Sequence, residues 1–162
     1  MPNQSFEFRP FNAASVEHYR KLICDPSVTR HMPLAEADYS DEWIQNWIAQ
    51  KSTIWPQESV GPWSVWVNGA FAGWSGFEPD EQDLSFGVVL HKEFWGYGRA
   101  IFSRAIELWA DALDSRRIFF EFPLSRSSEV WAERYGLVLV GEIEFSGHKF
   151  MRYALPVENF RA

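Results

Sequence analysis

The residues with the clearest chemical potential lie in one decapeptide, His91 to Ala100, HKEFWGYGRA. Two glycines stand one residue apart among bulky aromatics, between an apolar run, LSFGVVL, and an amphipathic one, IFSRAIELWADAL. That placement predicts a strand-to-helix junction. A helix N-terminus leaves backbone N–H groups unpaired and carries partial positive charge. Glycine there removes side chains that would hold a phosphate at a distance. Gly96, Tyr97, Gly98, Arg99 and Ala100 would offer N–H groups to a pyrophosphate, and Arg99 would add a charge-assisted contact. A plain glycine turn accounts for the same residues, since two glycines alone specify no ligand. Two nucleotide readings fail: no Lys-Ser or Lys-Thr follows the glycines, and the third glycine of a dinucleotide fingerprint is missing. Cys24 sits in an apolar helical context and is expected to be a small buried residue. His31 and His91 fall in a loop and at a strand end, where both are expected to be solvated. Neither has metal-ligand spacing, so no metal is expected.

The elements that must position this loop follow from periodicity. Alternation predicts a first strand in SFEFRPF. A helix begins near Ser15 and stops by Asp25, because Pro26 disfavours a helical residue before it. A loop follows, and Ser40 caps a second helix over DEWIQNWIAQK. The helical spacing of Trp43 and Trp47 predicts core positions, whereas Trp55, before Pro56, is expected outside the helix, as a pocket residue. WSVWV and AFAGWSGF flank Asn68-Gly69, the signature of a type I′ hairpin turn. EPDEQD is a second turn and LSFGVVL the third strand of this meander. After the helix come a strand in RRIFFEF, a short helix ending at Gly136, and a closing hairpin of LVLVGEIEF and HKFMRYAL. The order β-α-α-β-β-β-α-β-α-β-β predicts an α/β (α+β) fold. Its mixed, mostly antiparallel sheet of about seven strands is flanked by helices, with one parallel crossover around 98–122.

The chain has 162 residues, which suits a single domain over 1–162. Its net charge of −7 argues against nucleic acid, which is held by Lys and Arg. A single cysteine excludes an internal disulfide and a cysteine-based zinc cluster. No run of about 18 apolar residues is present, so no membrane span is expected and the cytoplasm is the default compartment. Aromatic residues make up 17% of the chain, with nine Trp, and most of them are expected in the core.

Taken together, these elements resemble the GNAT superfamily of acyl-CoA-dependent N-acyltransferases, and within it the branch of ribosomal-protein N-terminal acetyltransferases. The resemblance runs from FRPF to MRYAL. The family's pyrophosphate loop, [QR]-x-x-G-x-[GA], is matched by Trp95-Gly96-Tyr97-Gly98-Arg99-Ala100, with Trp in the first place. A second element of the branch, N-x-x-S followed by a short helix ending E-K-x-G-F, is matched by Ser125-Arg126-Ser127-Ser128 and Glu133-Arg134-Tyr135-Gly136-Leu137.

The resemblance implies acetyl-CoA as donor, an amine as acceptor, and direct transfer without a covalent enzyme intermediate. It implies that the backbone of Val88, Val89 and Leu90 receives the pantetheine arm as an added strand would. The Val88 N–H would stabilise the oxyanion. Ser125 would contact the pantetheine, less strongly than the family's Asn. Ser128 would protonate or hydrogen-bond the leaving thiolate, since the family's alternative Tyr is replaced by Ala132; Tyr135 is expected to pack. The branch often carries a Glu on the strand before the loop, and that place aligns with Ser85, on the acceptor side. Glu121 and Asp83, on neighbouring strands, are the substitute bases, with a water relay as the third option. Asp83 reads better as a turn residue, and Glu121 equally suits solvent. A non-catalytic CoA-binding or sensor domain on the same fold remains open, as does a homodimer.

Overall fold

A computed structural model describes residues 5–29, 39–58, 60–113, 117–124, 129–145 and 147–155. The chain runs through β1 (Phe6–Pro10), α1 (Val16–Ile23), α2 (Pro26–Thr29), α3 (Asp41–Glu58), β2 (Pro62–Val67), β3 (Ala70–Asp80) and β4 (Asp83–Leu90). It continues through α4 (Gly98–Leu113), β5 (Ile118–Pro123), α5 (Glu129–Tyr135), β6 (Val138–Phe145) and β7 (His148–Leu155). Short 3-10 helices occupy Phe11–Ala13 and Lys92–Tyr97. The strands form one seven-stranded sheet in the order β1-β2-β3-β4-β5-β7-β6. Every neighbouring pair is antiparallel except β4 and β5.

The local signals that set these elements act as their chemistry dictates. Ser15 caps α1, with its side chain accepting from the His18 N–H and the His18 ring accepting from the Ser15 N–H. Ser40 Oγ accepts from the Trp43 N–H at 3.1 Å, at the start of α3. Asn68 and Gly69 turn the first hairpin with φ of 51° and 82°. Gly136 ends α5 with φ of 65°, and the Leu137 N–H donates to Ala132 O.

Several expectations are corrected. The segment after Asp25 is not all loop: Asp25 Oδ1 accepts from the Ser27 N–H and starts the short α2, with Pro26 in its first turn. β3 continues through Pro79 to Asp80, so its turn into β4 is only Glu81 and Gln82. Pro79 costs no ladder bond. The Phe77 N–H donates to Gly61 O on the β2 side, so Pro79 also turns toward the β2 side, where it lies beyond the start of that strand at Pro62. α3 extends to Glu58, which places Trp55 inside the helix; Pro56 falls in the last turn, where few helical residues follow the intrahelical bond it forfeits. Cys24 is exposed, because it caps α1 one turn after Arg20, away from the buried Tyr19, Leu22 and Ile23. Trp43 is 38% exposed and stacks on Trp47, while Trp47 packs against Phe11, Tyr19 and Trp74. His91 is half-buried rather than solvated, edge-on to Phe71 and 3.7 Å from Asp25 Oδ2. His31 lies outside the described residues.

The core is split by the sheet. On one face Phe77, Leu84, Phe86, Ile118, Phe120 and Phe122 pack against Phe102, Ala105 and Ile106 of α4. On the other, Trp66, Phe71 and Trp74 pack against α1 and α3 through Tyr19, Leu22, Ile23 and Ile44.

Candidate active site between two parallel strands

β4 and β5 pair only at Leu84–Ile118 and Ser85–Phe119, although β4 runs on to Leu90 and β5 to Pro123. Beyond those two pairs the strands part. Which backbone groups line the gap follows from alternation along β4. The Leu84 N–H donates to Arg117 O, on the β5 side. The His91 N–H donates to Ala72 O, on the β3 side. With the register to β3 unbroken, Phe86, Val88 and Leu90 therefore turn their N–H and C=O groups toward β5, and Gly87 and Val89 turn theirs toward β3. Of the three residues expected to receive a donor, Val88 and Leu90 face the gap, while the Val89 backbone belongs to the β3 ladder. Leu90 is partly occupied: its carbonyl accepts from Trp95 Nε1 at 2.9 Å.

The same alternation brings α4 to the mouth of the gap. Ile101 packs with Leu90, Val65, Val67 and Ala72, and Phe102 sits edge-on to Phe86 and Phe120 at 5.1 and 5.2 Å. Tyr135 closes the set from α5, 4.9 Å from Phe102, as a packing residue. The loop is tighter than the sequence suggests. Lys92–Tyr97 form a 3-10 helix that runs into α4, and the Gly98 N–H donates to Trp95 O. Gly96 differs from the glycines of the sheet. It is exposed, and a Cβ there would meet nothing within 4 Å, so the fold itself does not require glycine at this position. Arg99 and Ala100 are exposed beside it.

On the opposite face, Ser85 and Glu121 project to one side of the gap and meet Asp80 and Arg152. Ser85 Oγ donates to Asp80 Oδ2 at 3.0 Å, with Glu121 Oε1 at 3.4 Å as the alternative acceptor. Arg152 Nη2 donates to Asp80 Oδ2, Arg152 Nε lies 3.3 Å from Glu121 Oε1, and the guanidinium stacks over Phe119 at 3.8 Å. Burial pushes the Glu121 carboxyl above the usual carboxylate range; Arg152 draws it back, Asp80 pushes it further up, and Ser85 draws it down. Glu121 is thus a partly buried carboxylate in a polar cluster rather than a solvated surface group. Asp83 sits at the closed end of the strand pair, where its carboxylate accepts from the Arg117 backbone N–H at 2.8 Å and pairs with the Arg117 side chain. Lys51 reaches from α3 to Glu78 at 2.5 Å and lies over the Trp74 ring, tying α3 across this face.

Sequence reasoning missed Asp80, read as part of a turn, and Arg152, which lies in the closing strand and was given no role. Arg152 is directly opposite Glu121 in the β5–β7 register. Ser125, Ser128 and the side chain of Trp55 lie outside what the structure describes. Among the described residues, no group of three His, Cys, Asp or Glu side chains is placed to hold a metal ion. No helix among them is long and apolar enough to cross a membrane.

A family model described as the acetyltransferase (GNAT) domain matches residues 6–126. The chain belongs to this family. The GNAT chain also shares its fold with solved structures across nearly its whole length. One is RimL, a ribosomal L7/L12 alpha-N-protein acetyltransferase in complex with coenzyme A: 18% identity, 96% of each chain covered, TM-score 0.75. A second is an acetyl transferase from Salmonella typhimurium that modifies the N-terminal serine of 50S ribosomal subunit protein L7/L12. It is 18% identical over 94% of this chain and 95% of that one, with a TM-score of 0.72. A third is MccE, the microcin C7 self immunity acetyltransferase in complex with acetyl-CoA and AMP. It is 16% identical over 96% of this chain and 93% of that one, with a TM-score of 0.72. No curated protein matches the GNAT chain in sequence.

Proposed function

We propose that this GNAT acetyltransferase takes acetyl-CoA as donor and moves the acetyl group directly to a primary amine, either a protein N-terminus or a small molecule. The observation that carries the reading is the parting of β4 and β5 after Ser85, with the start of α4 at its mouth and a partly buried carboxylate, Glu121, beside it. The pantetheine arm would add as a strand to the Val88 and Leu90 edge. The pyrophosphate would lie on the Gly96–Ala100 backbone, exchanging the Gly98 N–H bond to Trp95 O for one to phosphate, with Arg99 alongside.

The acceptor enters from the face that carries Ser85 and Glu121. Its neutral nitrogen attacks the thioester carbonyl, the C–N bond forms, and charge collects on the carbonyl oxygen, where the Val88 N–H stabilises it. The C–S bond then breaks and coenzyme A leaves as thiolate, which accepts a hydrogen bond from the Ser128 hydroxyl and takes its proton from solvent. The proton lost by the acceptor nitrogen goes to Glu121, the partly buried carboxylate beside the gap, whose pKa burial raises above its ordinary value and so strengthens it as a base. Asp83, held by Arg117, has a structural task instead.

Thiol release from acetyl-CoA, measured against a panel of peptide N-termini, polyamines and amino acids, tests this function. Amine-dependent release supports transfer. Donor binding with no release on any amine would point to the non-catalytic CoA-binding reading.

A further inference from the structure

The polar cluster on the acceptor face holds one cation, Arg152, that the reaction scheme does not use. We propose that Arg152 is the positioning residue of this active site: anchored by Asp80 and stacked on Phe119, it holds the Glu121 carboxylate at the side of the gap and keeps it ready to accept the proton. This rests on Glu121 as the base, and it assigns a residue outside the matched family segment, 6–126.

The geometry has three parts. Arg152 is anchored at one end, since Nη2 donates to Asp80 Oδ2. Its plane is fixed, since the guanidinium lies 3.8 Å over the Phe119 ring. Its remaining buried donor, Nε, has no hydrogen-bond partner, yet lies 3.3 Å from Glu121 Oε1. A small rotation of the Glu121 carboxylate completes that bond, and a buried donor left without one is costly. Arg152 therefore draws Glu121 toward a single orientation while Asp80 prevents the guanidinium from following it.

The surrounding charges leave this role to Arg152. On this face β3 presents Glu78 and Asp80, and β4 presents Asp83 and Ser85. Glu78 is paired with Lys51 of α3, and Asp83 with Arg117 before β5. On β6 the residue opposite Arg152 is Gly141, which brings no charge. Among the described residues, Arg152 is the cation in contact with Glu121. Losing it would leave two carboxylates, Asp80 and Glu121, on either side of the Ser85 hydroxyl with no cation between them.

The test is a carbon-13 NMR titration of glutamate-labelled protein, which needs no acceptor, with Glu121→Gln identifying the Glu121 carboxyl signal. In Arg152→Gln the Glu121 midpoint moves to higher pH than in the wild type. In Arg152→Lys, which keeps the charge but not the two-pronged geometry, it returns part of the way. Transfer to an amine that the wild type accepts follows the same pattern. Arg152→Gln is slower by roughly tenfold below neutral pH and approaches the wild type in alkali, because only the ionised base works. A purely structural role would lower the rate by the same factor at every pH. An unmoved Glu121 midpoint in both Arg152 variants overturns the proposal for Arg152. Unchanged transfer in Glu121→Gln overturns instead the assignment of the base on which it rests.

Discussion

On the α4 side, β4 and β5 present Leu84, Phe86, Ile118, Phe120 and Phe122, all buried and all apolar. On the other side the same two strands present Ser85, Gly87, Val89, Phe119 and Glu121, joined by Asp80 and Arg152 from their neighbours. The apolar side brings backbone to the gap: its packing fixes where Val88 and the start of α4 lie. The polar side brings side chains. A donor held by main-chain groups tolerates many sequence changes, since most residues supply the same N–H. In the proposed reaction, proton transfer depends on one carboxylate, Glu121, and its partners, so the polar side is where a single substitution should cost most.

Variants that act on one side and spare the other test that contrast. Glu121→Gln is expected to lower turnover by about 10²- to 10⁴-fold, the usual worth of a general base, while acetyl-CoA affinity stays unchanged. Steady-state rates and calorimetric donor titration measure the two separately, and a matching loss of affinity would break the contrast. Gly73→Ala should come next, as an effect on folding. Gly73 has φ of 148°, and a Cβ there would lie 2.0 Å from Val89 O, where β3 crosses the end of β4. Denaturant unfolding should show a loss of about 3 kcal/mol. Ser85→Ala is expected to slow transfer about tenfold, the lower end of the cost of one hydrogen bond to a carboxylate, with donor binding intact.

The smallest effect concerns stability. Folding raises the Glu121 pKa, so the folded state binds that proton more tightly than the unfolded chain does. The stability this contributes is present at low pH and is lost as pH rises through the folded pKa. Glu121→Gln should therefore melt slightly higher than the wild type at pH 8, with the gap closing in acid. A lower melting temperature at pH 8 would mean that the carboxylate is stabilised where it sits.

Much of the fold is legible in the chain because its signals are local. Ser15, Ser40, Asn68-Gly69 and Gly136 each act within a few residues, and each marks the boundary it was read to mark. The loop before α4 was legible for the same reason. What was not legible is pairing over distance. Nothing near Arg152 says that it stands opposite Glu121, because that register depends on how β7 inserts between β5 and β6. Asp80 was hidden because EPDEQD, with its proline, reads as a turn, and proline is harmless there only because β2 starts at Pro62, opposite Gly76. Trp55 was misplaced by the same error, too much weight on one proline near a helix end.

The central claim is that the gap between β4 and β5 and the start of α4 hold acetyl-CoA. Gly96 tests it most directly, because a side chain there meets open space within the protein and would meet only a bound pyrophosphate. Isothermal titration of acetyl-CoA into the wild type and Gly96→Leu, with melting curves for both, is the measurement. The account predicts equal melting temperatures, clear binding to the wild type, and an affinity at least about 100-fold weaker in the variant, the loss expected when the backbone can no longer approach the phosphates. Equal affinity in the two proteins, or no binding to either, would contradict it.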